Sequence, residues 1–308
     1  MFVRIMNELK WVDDYMRDCR LCPRSCGVNR LEGHKGFCQV TGEVLVARAA
    51  LHMWEEPCIS GAEGSGAVFF SGCSLGCSFC QNGAIRRGQR GRIYSIPELA
   101  ETFLELQSQA ANNINLVTAG HYLPQTAAAL RLAREQGLVI PVVYNSSGYE
   151  KPEMLRLLKG LVDIYLPDFK YMDSELAQKY SHDREYPRIA QAAIEEMASQ
   201  VGEAQFDSRG MMTRGLVVRH LLLPGHVADS RRVVEYLYRT YGDSIYISLM
   251  NQYTPMPAMA EDPLLSRRVT AREYDRLVDY ALSLGLEHGF IQEGETAQES
   301  FIPDFDAP

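Results

Sequence analysis

Three cysteines stand together in the run Gly72-Cys73-Ser74-Leu75-Gly76-Cys77-Ser78-Phe79-Cys80-Gln81-Asn82, spaced C-x3-C-x2-C. An odd number of thiols on one tight loop is a poor disulfide framework and a good soft-metal site. An iron–sulfur cube normally takes four cysteines; three leave one iron with an open position, as a catalytic zinc keeps one. The other five cysteines all precede this loop, and none follows Cys80. Cys19, Cys22, Cys26 and Cys38 are spaced C-x2-C-x3-C-x11-C among Pro23, Gly27, Gly33 and Gly36. Four thiolates at that density can close around one metal. A structural zinc and an auxiliary iron–sulfur cluster both fit the spacing, and the reading leans to zinc. Zinc would staple a segment too small to fold on its own core; a cluster would relay electrons or anchor a substrate. Cys58, alone in Glu56-Pro57-Cys58-Ile59, reads as a small buried hydrophobe.

The elements that position these groups follow from apolar runs and their punctuation. Ala67-Val68-Phe69-Phe70 is short, apolar and bounded by Gly66 and Gly72, so a buried strand carries the three-cysteine loop. A short helix is expected over 8–18 and a strand or hairpin over 42–54. Beyond residue 66 strands and helices alternate. Ser95 and Glu98 form a capping box for a helix carrying Leu99, Phe103, Leu106 and Ala110. Strand two is Ile114–Val117, followed by a helix from Leu123 to Gln136 that Gly137 stops. Strand three is Leu138–Tyr144, where Pro141 predicts an edge or bulged strand. A short helix, Pro152–Lys159, leads to strand four at Leu161–Leu166. Asp173 caps a helix through Tyr180, a further helix spans 186–201, and strand five is Leu216–Leu223. A helix over 229–240, strand six at Ser244–Met250 and a second capping box at Thr270 and Glu273 complete the pattern. Phe290-Ile291 is a last short strand, and the acidic tail after Glu293 reads as coil. Such alternation gives a parallel sheet, whose site gathers at the carboxyl ends of the strands.

Polar residues stand at those ends: Thr118-Ala119-Gly120-His121, Asn145-Ser146-Ser147-Gly148, Asp168-Phe169-Lys170, Arg219-His220 and Asn251-Gln252-Tyr253. C-x3-C-x2-C with Phe79 before its last cysteine resembles the cluster loop of the radical S-adenosylmethionine superfamily. That resemblance implies an α/β fold, a partial (β/α)6 barrel open on one side. It also implies that Cys73, Cys77 and Cys80 hold a [4Fe–4S] cluster whose open iron takes the amino and carboxylate groups of S-adenosylmethionine. One electron then cleaves the sulfonium and releases a 5′-deoxyadenosyl radical. By motif order over residues 66–255, the chain resembles the glycyl-radical activating enzymes, of which pyruvate formate-lyase activating enzyme is one. There a Gly-Gly-Glu segment after strand two holds the methionine amino group, where Ala119-Gly120-His121 stands here without the carboxylate. Asn145-Ser146-Ser147-Gly148 stands for an Asp-Thr-Asn-Gly turn, and Asp168 and Lys170 match Asp-x-Lys. Arg219, shortly before Pro224-Gly225, matches an arginine on strand five, and Tyr253 replaces a histidine. The resemblance thus places Phe79, Asn82, Thr118, Asn145, Ser147, Asp168, Lys170 and Arg219 around S-adenosylmethionine. Their chemistry agrees. Lys170 and Arg219 can pair with its carboxylate by charge-assisted hydrogen bonds; Asp168 can orient Lys170 or accept from the ammonium; Asn145 and Ser147 suit ribose hydroxyls. His121, His220 and His226 read as ordinary hydrogen-bonded histidines. Cys19-Arg20-Leu21-Cys22-Pro23 adds a likeness to activase-like radical proteins, although established activators place their extra cysteines after the cluster loop.

Composition bounds the rest. The 308 residues suffice for one α/β domain of roughly 200–250 residues and an appendage; the expected division is a cysteine-rich extension over 1–60 and a core over 61–308. A net charge of −8 with no strong basic run argues against a nucleic-acid or anionic-membrane binder. No apolar run approaches the roughly 20 residues that span a bilayer, and the first residues carry no signal-peptide core. A cytoplasmic location follows, where cysteines are metal ligands or reactive groups more often than disulfides. The expected function is hydrogen abstraction by a radical S-adenosylmethionine enzyme, fed by a flavodoxin or ferredoxin-type donor. Its substrate is a glycine of a partner protein if the activase resemblance carries over, otherwise a peptide or small molecule. The competing reading is a structural or adaptor protein with zinc at both cysteine groups.

Overall fold

The computed structural model describes residues 2–292 and Phe305, with residues 2–9 given through the backbone alone. The expected coil after Glu293 therefore lies, apart from Phe305, outside the described residues. Helix α1 (Phe2–Arg17) is followed by a long loop with one 3-10 turn and then by β1 (Val44–His52). Next come α2 (Pro57–Ser60), β2 (Ser65–Phe70), the three-cysteine loop, α3 (Gly83–Arg86) and β3 (Arg92–Tyr94). The alternating part runs α4 (Ile96–Ser108), β4 (Ile114–Val117), α5 (Leu123–Glu135), β5 (Val142–Ser146), α6 (Pro152–Leu155) and β6 (Ile164–Pro167). Helices α7 (Ser174–Ser181) and α8 (Tyr186–Val201) and the two-residue β7 (Gln205–Phe206) precede β8 (Met212–Leu221). The last elements are α9 (Val227–Tyr241), β9 (Tyr246–Met250), α10 (Ala271–Ser283) and β10 (Gly289–Ile291).

Every residue of β2, β4, β5 and β6 is buried, as expected of parallel strands covered on both faces. The sheet order is β10-β9-β8-β6-β5-β4-β2-β1-β3, with β7 added to β8. From β2 to β10 neighbours are parallel and follow chain order, while β1 runs antiparallel to β2 and β3 antiparallel to β1. The edges β3 and β10 do not meet, so the fold is a partial barrel, open on one side. Of the cysteine-rich extension, β1 belongs to this sheet.

Local chemistry sets the helices. Both capping boxes form: the side chains of Ser95 and Thr270 accept from the backbone N–H groups of Glu98 and Glu273, whose carboxylates reach back to the cap backbones. Asp173 caps α7 by accepting from the N–H groups of Glu175 and Leu176. One expectation is corrected. Strand β5 is neither an edge nor bulged; it lies between β4 and β6. Pro141 precedes its first residue, where no ladder donor is lost, and the Pro141 carbonyl accepts from Ile114 N–H at 2.9 Å. The amino-terminal end of the barrel is closed from below: Cys58 and Ile59 of α2 pack on Val143, Ile164, Leu166, Met212 and Val217. Cys58 is thus the buried hydrophobe its setting predicted. Among the described residues no helix is long and apolar enough to cross a membrane.

Candidate active site

The three-cysteine loop leaves the carboxyl end of β2 under tight constraint. Gly72 takes φ 91°, and a Cβ there would lie 2.7 Å from the Cys38 carbonyl oxygen, so only glycine fits under the extension. Cys73, Cys77 and Cys80 are free thiols lining a cavity of about 600 Å3 at the carboxyl ends of the parallel strands. Cys73 Sγ accepts from Gly76 N–H at 3.4 Å, and Cys77 Sγ lies 3.1 Å from Ser181 Oγ. Ser78 N–H donates to the Tyr180 carbonyl at 2.8 Å, and Arg86 of α3 donates to the carbonyls of Gly76, at 2.9 Å, and Cys77. Phe79 is buried between Tyr180 and Tyr253, with ring centroids 6.3 and 6.1 Å away. Burial pushes all three thiols up, Cys80 to about 12, while Lys170 works in the opposite direction.

The strand ends complete the cavity. Asn82, Thr118, Asn145, Ser147, Asp168, Lys170 and Arg219 all line it with the thiols. Thr118 is a β-branched residue at φ 63°, held there by its N–H bond to the Asn145 carbonyl at 2.9 Å; strain of this kind collects at sites. Lys170 Nζ donates to Asp168 Oδ2 at 2.5 Å. Burial works against the lysine's charge, but Asp168 and the neighbouring sulfurs outweigh it, so the ammonium is held above its ordinary value. Asp168 thus fixes the position of the Lys170 ammonium.

Two of these lining groups, Arg219 and Asn145, are also held by protein carboxylates. The Arg219 guanidinium is taken by two carboxylates that rise through the barrel from the segment before α2. It donates from Nε to Glu56 Oε1 at 2.8 Å, from Nη2 to Glu56 Oε2 at 2.6 Å, and from Nη2 to Glu55 Oε2. Glu55 Oε1 also accepts from Asn115 at 2.9 Å and Asn145 at 3.3 Å, so the Asn145 amide is drawn to this network. Burial alone would raise the Glu56 carboxyl; Arg219 overrides it and holds it below its ordinary value. Of the turn after strand two, only Thr118 faces the cavity. His121 is buried behind it, with Nε2 2.8 Å from the Ser71 carbonyl oxygen. His220 Nδ1 likewise meets the Phe169 carbonyl at 2.7 Å, His226 lies 3.4 Å from the Tyr180 hydroxyl, and Tyr253 donates to the Leu265 carbonyl at 2.6 Å. Sequence reasoning missed Glu55 and Glu56. Their signal was an acidic doublet between Trp54 and Pro57-Cys58-Ile59, in an otherwise apolar stretch.

In the extension, Cys22 is pushed up to about 12 by burial, and Cys38, Cys19 and Cys26 raise it further, so the four thiols feel one another. Cys26 Sγ accepts from Phe37 N–H at 3.4 Å, and the buried Arg30 reaches Cys19 Sγ at 3.8 Å and the His121 carbonyl at 2.6 Å. Among the described residues no group of three or more His, Cys, Asp or Glu side chains is placed so that it could hold a metal ion as it stands.

Comparison with known proteins decides between the readings. The model of the radical SAM superfamily matches residues 67–237, more than half of the chain. The chain belongs to the radical SAM superfamily. Membership implies a [4Fe–4S] cluster and S-adenosylmethionine, and it sets aside the adaptor reading in favour of an enzyme. The cavity's donors fit a cluster with one open iron: among the described residues its lining holds three free thiols and no fourth. This radical SAM chain is 28% identical over 279 residues to "Uncharacterized protein MJ0674" of Methanocaldococcus jannaschii, covering 88% of this chain and 76% of that protein. It is also similar to a crystal structure of a domain of pyruvate-formate lyase-activating enzyme from Bacteroides vulgatus. The identity there is 14% and the TM-score 0.41, over 56% of this chain and 92% of that one. A third similarity is to SuiB of Streptococcus suis bound to the precursor peptide SuiA. The identity is 11% and the TM-score 0.48, over 72% of this chain and 46% of that one.

Proposed function

We propose that Cys73, Cys77 and Cys80 hold the [4Fe–4S] cluster, that Lys170 receives the S-adenosylmethionine carboxylate, and that the enzyme abstracts hydrogen from a glycine of a partner protein. One observation carries this reading: three thiols and the polar ends of four parallel strands line a single cavity. When bound, the reduced cluster supplies the electron that cleaves S-adenosylmethionine to a 5′-deoxyadenosyl radical. The chain's residues do the remaining work. Lys170, fixed by Asp168, presents a permanent cation beside the thiols. Arg219, bound by Glu55 and Glu56, braces the floor of the cavity and leaves carboxylate binding to Lys170. Ser147 and Thr118 offer hydroxyls at the rim for the ribose, and Asn82 lines the same rim. Phe79 keeps water off the loop from its place between two tyrosines.

The glycine assignment is supported by motif order in the sequence, Asp168-Phe169-Lys170 followed by Arg219 and Pro224-Gly225. A flavodoxin or ferredoxin-type protein supplies the electron. Cys19, Cys22, Cys26 and Cys38 bind a zinc ion of their own, the alternative being a second cluster. Anaerobically reconstituted, reduced protein should convert S-adenosylmethionine to 5′-deoxyadenosine, and a Cys77→Ala variant should form none. No product from the reduced wild type would reject the reading. Deuterium carried from a labelled glycine in a partner peptide into 5′-deoxyadenosine checks the substrate; transfer only from a non-glycine position or a small molecule moves the assignment there.

A further inference from the structure

Arg24 stands between Cys22 and Cys26 of the extension, yet its guanidinium lies against the three-cysteine loop. Nε donates to the Ser74 carbonyl at 3.1 Å and Nη2 to the Leu75 carbonyl at 3.2 Å, both between Cys73 and Cys77. Its remaining donors reach the end of α7, with Nη1 2.8 Å from the His182 carbonyl oxygen and Nη2 3.1 Å from that of Ser181. These are carbonyls that a helix terminus leaves without intrahelical partners, and a cation there also suits the helix dipole. Ser181 is the residue whose hydroxyl meets Cys77 Sγ at 3.1 Å. The guanidinium is fixed from its faces by Phe37, 4.0 Å from the ring centroid, and Tyr149, at 5.3 Å.

The backbone beneath Arg24 is a tight turn framed by cysteines. Gly27 N–H donates to the Cys19 carbonyl at 2.9 Å and Ser25 N–H to the Cys22 carbonyl at 3.0 Å, with Ser25 at φ 44°. A metal gripped by Cys22 and Cys26 would brace that turn from both sides. Two further contacts tie the same segments: the Cys38 carbonyl over Gly72 and the Phe37 ring over Gly76.

We propose that Arg24 is a positioning residue that holds the Cys73–Cys77 stretch and the end of α7 in the geometry a cluster requires, so that the extension preforms the active-site loop. The inference rests on the reading of Cys73, Cys77 and Cys80 as cluster ligands. A planar fork of five donors can hold four carbonyls at once; a lysine cannot reproduce that set. Loss of the fork frees the loop before any metal arrives.

The test compares full-length wild type, Arg24→Ala and Arg24→Lys. Hydrogen–deuterium exchange of the metal-free proteins should rise about tenfold in peptides covering 72–82 and 178–184 of Arg24→Ala, the scale of losing hydrogen bonds to a charged donor. Exchange in β4 to β9 should not change. Arg24→Lys should show the same local rise at smaller amplitude, which keeps the test available if the alanine variant does not fold. After reconstitution, iron release to a chelator should quicken about tenfold in Arg24→Ala, by the same loss of hydrogen bonds. Equal exchange in the loop of all three proteins overturns the proposal. So does a rise spread evenly over the sheet with a matching fall in melting temperature, which would mark a general structural role. A wild type that binds no iron fails the cluster reading instead, and that failure shows without either variant.

Discussion

Glu150 is a fully buried acid just behind the cavity. Its carboxylate oxygens accept from Ser146 Oγ at 3.1 Å and from the Tyr144 hydroxyl at 3.5 Å. Burial is the largest influence and raises it from an ordinary 4.5 to about 8, against the pull of those two hydroxyls. The folded state therefore keeps a proton that the unfolded chain gives up above about 4.5. Stability contributed by this group falls as pH rises from about 4.5 through about 8 and then levels. Thermal melts between pH 5 and 9 should show this decline in the wild type and a flatter profile in Glu150→Gln. Parallel profiles would assign the decline to another group. Since a Cβ on Gly120 would lie only 3.2 Å from Glu150 Oε1, the turn after β4 packs close on this acid and should register the same titration.

At the scale of elements, the floor of the cavity is where β4, β5, β8 and β9 converge on the segment before α2. Arg219 is the one cation shared by the buried carboxylates of Glu55 and Glu56, and removing it leaves both uncompensated. Arg219→Ala should cost about 3–5 kcal/mol in chemical denaturation, whereas pairs on the exposed surface are worth no more than about 1 kcal/mol. A loss below about 1 kcal/mol would show that water reaches the pair. What was legible in the sequence divides along the same line. The cysteine loop, Asp168–Lys170 and the turn after β5 could be read because each is local: an apolar strand followed at once by polar residues. The helices were legible from capping pairs three residues apart. Arg219 and Glu56 are 163 residues apart in the chain, and Arg24 meets His182 across 158. No local pattern encodes such pairings, so Arg219 could be placed at the cavity but not the carboxylates that hold it there. The closure of the barrel floor by α2 was hidden for the same reason, since four residues carry no periodicity.

For the whole molecule, seven of the eight cysteines fall in two groups, one in the extension and one on the loop after β2, and Arg24 links the segments that carry them. Metal analysis of a variant with Cys73, Cys77 and Cys80 all replaced by alanine should lose the core iron and keep the extension's metal. Adding Cys22→Ala and Cys26→Ala should remove that too. Zinc as the residue confirms a staple; residual iron makes the extension a second cluster; no residual metal would show that the four thiols bind nothing on their own.

Because Cys58 and Ile59 close the amino-terminal end of the barrel, access to the cavity is left to the carboxyl ends of the strands and to the open side between β3 and β10. On the proposed reading, a protein substrate seated over the carboxyl ends would cover S-adenosylmethionine already bound there, so excess partner should slow exchange of the small molecule rather than compete with it.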